Sequence, residues 1–204
     1  AFILTQAAKW FPEGTIHVAV VDPGVGTERR AITVEASRSL YAGPDNGLLM
    51  MSALREGICH VYEIADPKYV LKNVSRTFHG RDIFSCAAAH LAKGVPPSEL
   101  GPEINDAVVP KYVNSQITGK KIIGEVIYID DFGNIITNIS PTDLRKCGIE
   151  EGGKLKVKLR DRVSTLKLCS AYGETHLHEP LSIIGSSDLL EVAVNQGNAA
   201  QTYD

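Results

Sequence analysis

Along residues 15–93 short apolar runs alternate with helix-like segments, whereas from about residue 115 almost every apolar run is short and strand-like. That change of pattern constrains the fold more than any other feature, because strands alternating with helices call for an α/β layer and a succession of short strands calls for an all-β unit. In the first part, "TIHVAVV" (15–21) is a β-branched run of the kind buried in a parallel sheet. "AITVEAS" and "ICHVYEI" are further strands, with "GLLMMSALREG" a helix between them. A second helix is expected over roughly 81–93, stopped by "KGVPP". In the second part, "KIIGEVIYID", "GNIITNIS", "KLKVKLR", "VSTLKLC", "LSIIG" and "LLEVAVN" read as strands, and "PTDLRKCG" is the one brief helix. The Pro-, Gly- and Asn-rich stretch at 96–120 suits a connector. The expected organisation is an α/β domain over 1–112 followed by an all-β, barrel-like domain over 113–204.

Composition excludes several roles. The net charge of -3, with Lys and Arg scattered, provides no basic field for nucleic acid. No window holds the roughly 20 apolar residues that span a bilayer. The opening "AFILTQAAKWF" has no signal-peptide pattern, so a cytoplasmic protein without membrane partners is expected. It reads as the last turns of a helix lacking a cap and a starting Met, which suggests a natural chain beginning further upstream. Cys59, Cys86, Cys147 and Cys169 are far apart and form no CxxC, so reduced thiols are expected.

Three stretches concentrate chemistry. "VVDPGVGTERR" sets Asp22 at the C-terminal end of a strand, the edge where α/β sheets bind ligands. Asp22 could equally bond its own turn. Neither phosphate-loop spacing, GxGxxG or GxxxxGK[ST], is present. "HGRD" at 79–82 crowds ionisable groups at a helix start. Asp82 there suits the macrodipole with Arg81 solvated, while Asp, Arg and His together can hold and polarise a water. "YIDDFGNIITNIS" (128–140) is either a hairpin turn or an extended face. In the second case Asp130, Phe132 and Asn134 share one side and offer a carboxylate, a ring and an amide to a small molecule. "GSSDLLEVAVNQGNAA" (185–200) adds small hydroxyls and an amide-rich loop. His176 and His178 form an HxH pair without a convincing third ligand, so a solvated loop is expected and no metal site.

In order and wording, "VDPGVGTERRAI", "GPDNGLL", "TFHGRDIFSCAAAHLA", "IDDFGNIITNI" and "GSSDLLEVAVNQGNAA" together resemble the S-adenosyl-L-methionine hydroxide adenosyltransferases, the DUF62 family, relatives of fluorinase and chlorinase. The resemblance runs from about Thr15 to Ala200. It implies an α/β domain, a β-barrel domain, and a trimer whose sites lie between subunits. It also implies hydrolysis of S-adenosyl-L-methionine to adenosine and L-methionine without a cofactor. The implied water-activating set is Asp22, Arg29 and His79. Asp130, Phe132, Asn134, Ser186 and Asn195 match positions that hold the methionine portion and the adenine in relatives. The family's "TTDFG"-like ribose-binding motif has no counterpart in this sequence. A halogenase using the same carbon, or a non-catalytic S-adenosylmethionine or nucleoside binder, are the alternatives. The forms "DPGVG" and "FHGRD" favour the hydrolase.

Overall fold

A computed structural model describes all residues, 1–204. The chain divides into two compact units, Ala1–Pro110 and Lys111–Asp204.

The first unit is a mixed α/β layer. α1 (Phe2–Ala8) leads into β1 (Ile16–Val18), β2 (Ala31–Ala36), β3 (Leu40–Pro44), α2 (Met50–Glu56), β4 (Ile58–Glu63) and α3 (Ser85–Ala92). The strand order is β1-β3-β2-β4. Only β1 and β3 run parallel, while β2 is antiparallel to both neighbours. The three residues Ser37, Arg38 and Ser39 separate β2 from β3, too few for a crossover, so these strands form a hairpin. The sheet is therefore mixed, where a parallel one is expected from the sequence pattern.

β2 shows why both faces are covered. Ile32, Val34 and Ala36 enter one cluster with Tyr41, Leu49, Met50 and Ala53, while Ala31 enters another with Tyr69, Phe84, Leu91 and Leu100. Alternate side chains of a strand point to opposite faces, so the two clusters lie on opposite sides of the sheet. β1 is shorter than the apolar run that suggests it. Gly43 lets the Ala19 carbonyl approach so closely that a Cβ there would sit 2.4 Å from its oxygen. The chain then leaves the sheet, and Val20 and Val21 are exposed instead of buried.

The helix expected at 81–93 is two pieces. Gly80–Phe84 form a π-helical turn, and regular α geometry starts only at Ser85. In the wider turn the Ser85 N–H donates to the Gly80 carbonyl, as does Ser85 Oγ at 2.7 Å. Such turns recur at functional sites.

The second unit contains a six-stranded sheet in the order β7-β8-β12-β11-β10-β9 and a separate β5-β6 pair. Its strands are β5 (Gln116–Thr118), β6 (Lys121–Ile123), β7 (Val126–Ile129), β8 (Ile135–Thr137), β9 (Lys154–Leu159), β10 (Arg162–Cys169), β11 (Pro180–Ile184) and β12 (Leu190–Val194). The all-β, barrel-like unit expected from the sequence is met in part, as a strand-rich half-barrel sheet in a unit that is not wholly β. The large sheet is open, with β7 and β9 at its edges, and the unit carries two helices. α4 (Pro141–Lys146) is fixed by a capping box, in which the Asp143 N–H donates to Ser140 Oγ and the Ser140 N–H to Asp143 Oδ2. α5 (Ala199–Tyr203) starts at Asn198, whose side-chain oxygen accepts from the Gln201 N–H.

All four cysteines are free, and no helix is long and apolar enough to cross a membrane.

Candidate active site

Asp22, Arg29 and His79 meet in the first unit. Both readings of "VVDPGVGTERR" hold at once, because backbone and side chain do different work. The Asp22 carbonyl accepts from the Val25 N–H, and the Gly24 carbonyl from both the N–H and the hydroxyl of Thr27. These two turns return the chain on itself, so the Asp22 and Arg29 side chains face each other. Arg29 Nε donates to Asp22 Oδ1 at 3.1 Å and Nη2 to Oδ2 at 2.5 Å. The two side chains are only 9% and 5% exposed. In so dry a place a bidentate pair is held far more firmly than on a surface. The guanidinium also lies over the Phe84 ring, 5.5 Å from its centroid.

His79 enters from the residue before the π turn, with Nδ1 2.9 Å from Arg29 Nη2. A guanidinium has donors only, so His79 Nδ1 accepts and the neutral ring carries its proton on Nε2. The site thus offers an N–H on His79 and the unused lone pairs of Asp22, two complementary handles for one water.

Two neighbours keep the parts together. Gly26 has φ +77, and a Cβ there would lie 2.3 Å from the Arg76 carbonyl oxygen, so only glycine lets the Asp22 loop rest on the strand of chain that leads to His79. Asp82 has no solvent exposure. It accepts from Arg81 Nε at 2.5 Å and from the Ser75 N–H at 2.7 Å, and its own carbonyl accepts from the Leu71 N–H. These partners hold its carboxyl below the usual carboxylate range, Arg81 foremost. Asp82 is thus a staple between 71–75 and the helix start rather than a simple partner of the macrodipole. Arg81 is paired with it and lies over Phe78.

The remaining predicted residues lie in the second unit. Asp130, Phe132 and Asn134 do not form an extended face. They make a closed turn between β7 and β8, in which Asp130 Oδ1 accepts from the N–H groups of Phe132 and Asn134, and Oδ2 from Asn134 Nδ2. Gly133 has φ +82, and its missing side chain leaves room for Asn198. Phe132 is 77% exposed at the tip. Asp130, Phe132 and Asn134 nevertheless line one cavity of 680 Å³, with Tyr172, Gln196 and Asn198 on other walls. That size suits a small organic ligand.

Asn195 is buried, and its Nδ2 donates to the Thr175 carbonyl at 2.7 Å, so its followers Gln196, Gly197 and Asn198 face the cavity. Ser186 is exposed in the turn between β11 and β12. His176 and His178 are exposed, and no group of three or more His, Cys, Asp or Glu side chains could hold a metal ion.

Sequence reasoning missed Tyr172 and Glu191. The Tyr172 hydroxyl donates to Glu191 Oε2 at 3.1 Å and Ser187 Oγ to Oε1 at 3.4 Å. Gly185 leaves room for that carboxylate, since a Cβ there would lie 1.7 Å from Oε1. Burial pushes the Glu191 carboxyl up, and the charge of Asp130 adds to the effect. Burial together with Glu191 pushes Tyr172 up to about 12. An aromatic within the polar "SAYGET" is the one sequence signal that marks this wall.

Comparison with known proteins joins the two sites to one family. Residues 1–101 match the SAM hydroxide adenosyltransferase N-terminal domain and residues 124–204 its C-terminal domain. An (R)-S-adenosyl-L-methionine hydrolase of Thermus thermophilus is 38% identical over 98% of this chain and 76% of the relative. A fluorinase of Actinoplanes is 28% identical over 98% of this chain and 77% of the relative. A crystal structure of an uncharacterized conserved protein from Thermotoga maritima superposes with a TM-score of 0.86 at 35% identity, covering 98% of this chain and 77% of that one. The chain belongs to the SAM hydroxide adenosyltransferase family.

Proposed function

We propose that the protein hydrolyses S-adenosyl-L-methionine to adenosine and L-methionine. The observation that carries this reading is the partly buried Asp22–Arg29–His79 chain of contacts. Relatives named (R)-S-adenosyl-L-methionine hydrolase, at 30% to 38% identity, support it.

In the reaction a water oxygen bonds to ribose C5′ while the C5′–S⁺ bond breaks and its electron pair stays on sulfur. The leaving methionine ends neutral at sulfur, so departure needs neither a metal nor an oxyanion hole. The difficulty is the nucleophile. His79 Nε2–H directs the water oxygen, Asp22 receives a water proton, and the Arg29 charge favours the hydroxide form. Water excluded from such a site strengthens each contact.

Substrate is held by the second unit. The cavity lined by Asp130, Phe132, Asn134 and Tyr172 receives the nucleoside and amino-acid portions, Asp130 facing the methionine ammonium; Ser186 and Asn195 are assigned to substrate binding by family resemblance alone. The active form is a homo-oligomer, a trimer by family resemblance, in which the Asp22 set of one copy completes the cavity of another. Four free thiols suit a cytoplasmic setting, without nucleic-acid or membrane partners.

The test is incubation with S-adenosylmethionine in the presence and absence of chloride and of a chelator, with the nucleoside identified by mass. Adenosine in every arm is the expected result. A 5′-chloro nucleoside assigns the halogenase, and unchanged substrate in all arms leaves a binding protein.

A further inference from the structure

The turn "PDNG" at 44–47 lies outside the reacting groups, yet it touches both ends of the loop that carries them. At the front, Asn46 Nδ2 donates to the Val21 carbonyl at 2.9 Å, one residue before Asp22. At the back, Asp45 Oδ2 accepts from Arg30 Nε at 3.0 Å and Nη2 at 2.7 Å, one residue after Arg29. The Arg30 carbonyl accepts twice, from the Asp45 N–H at 3.0 Å and from Arg29 Nη1 at 2.9 Å. One oxygen thereby links the turn directly to the guanidinium that holds Asp22 and His79. Asp45 is itself anchored, its side chain 2% exposed and its Oδ1 accepting from the Val108 N–H at 2.8 Å.

We infer that Asp45 and Asn46 are positioning residues for water activation, a two-point clamp that sets the spacing of Asp22 and Arg29 without touching substrate. The inference rests on the reading of the Asp22 set as the water-activating one. Its physical basis is where the tethers fall: Asp106 also holds Arg30, accepting from Nη1 at 2.7 Å, but only Asp45 and Asn46 grip both ends of the loop between β1 and β2 from a single turn. Inside the loop the bonds are local turns, and at its ends Asn46 and Asp45 are the side chains that reach in from β3 and its turn. Misplacement of a reacting group by about 1 Å costs roughly 100-fold in rate.

Asn46 allows a sharp test because its two ends do different jobs. Its Oδ1 accepts from the Leu48 N–H at 3.1 Å, a local turn bond, while its Nδ2 alone makes the clamp. Asn46→Asp keeps the acceptor and deletes the donor, whereas Asn46→Ala deletes both. In the wild-type background, kcat, the S-adenosylmethionine Kd by calorimetry and the melting temperature are measured for both variants. In parallel, the Arg29 Nε–H resonance is followed by NMR, which reads the Arg29–Asp22 contact whether or not the protein turns over.

Positioning predicts that both variants lose about 10- to 100-fold in kcat with Kd unchanged, and that Asn46→Asp melts like wild type while its Arg29 Nε–H resonance shifts. If Asn46→Asp retains wild-type kcat and an unmoved resonance, the clamp is only a turn bond and the proposal falls. An Asn46→Asp protein that is unfolded at 25 °C assigns the turn to stability and also overturns it. A wild type that fails to hydrolyse the substrate sinks the proposed function instead, and the resonance then decides the clamp alone.

Discussion

Arg29 Nη2 lies 2.9 Å from His79 Nδ1, and since the guanidinium can only donate, the imidazole faces the site with a donating Nε2–H. In the proposed reaction His79 therefore directs the water rather than anchoring the substrate. His79→Ala is expected to lower kcat by about 10²- to 10⁴-fold and leave the S-adenosylmethionine Kd nearly unchanged. Single-turnover kinetics beside calorimetry check it. Lost binding with retained chemistry would reverse the assignment.

Asp130 has two duties that two substitutions separate. Its oxygens close the 130–134 turn, and its charge faces the substrate ammonium in the proposed complex. Asp130→Asn keeps an acceptor for the turn and removes the charge. It should weaken binding by about 10- to 150-fold, the loss expected for one charged hydrogen bond of ~1.5–3 kcal/mol. Asp130→Ala should bind still more weakly and also lower the melting temperature, because three bonds of the turn go with it. Equal melting temperatures for the two variants would show that the turn does not depend on the side chain.

An assembly in which each site draws on two copies makes inactive variants complementary. Mixed oligomers of His79→Ala and Asn134→Ala chains should regain activity that neither homo-oligomer has, since some sites then receive two intact halves. Refolding the two together at varied ratios and assaying adenosine release is the measurement. A fully active monomer in sedimentation would exclude the shared site.

Glu191 makes a stability prediction with a defined sign. Burial raises its carboxyl pKa in the folded chain, so the folded state binds the proton more tightly than the unfolded one. Its favourable contribution is complete below the unfolded carboxylate pKa and is lost as pH rises through the folded value. Glu191→Gln, neutral at every pH, should therefore raise Tm at neutral pH by about 2–4 °C, the shift for about 1 kcal/mol in a chain of this size. The gain should vanish in acid. A Tm that falls at neutral pH would mean that Glu191 works as a charged acceptor for Tyr172.

The sequence shows some of this directly and hides the rest for identifiable reasons. Helices α2 and α4 are legible because apolar period, Pro at the first position and the Ser140–Asp143 box are all local signals. The meeting of Arg29 with His79 is not, since 50 positions separate them and only folding brings the two loops together. Asp130, Phe132 and Asn134 have the two-residue period of a strand, yet the Asp130 bonds and the positive φ of Gly133 override it locally. α5 is only five residues long and has no apolar repeat; its Asn198 cap is the sole local sign. Val20 and Val21 look like core, but β1 has already ended when they are reached.

The close seating of Gly26 on the Arg76 carbonyl has a consequence for engineering. The loop bearing Asp22 and Arg29 and the stretch leading to His79 are shaped to each other at that contact, so they are not interchangeable parts. Grafting one loop onto another scaffold, or shuffling it between homologues, requires carrying the facing stretch along with it; a donor loop with any side chain at position 26 would arrive already misaligned with its histidine.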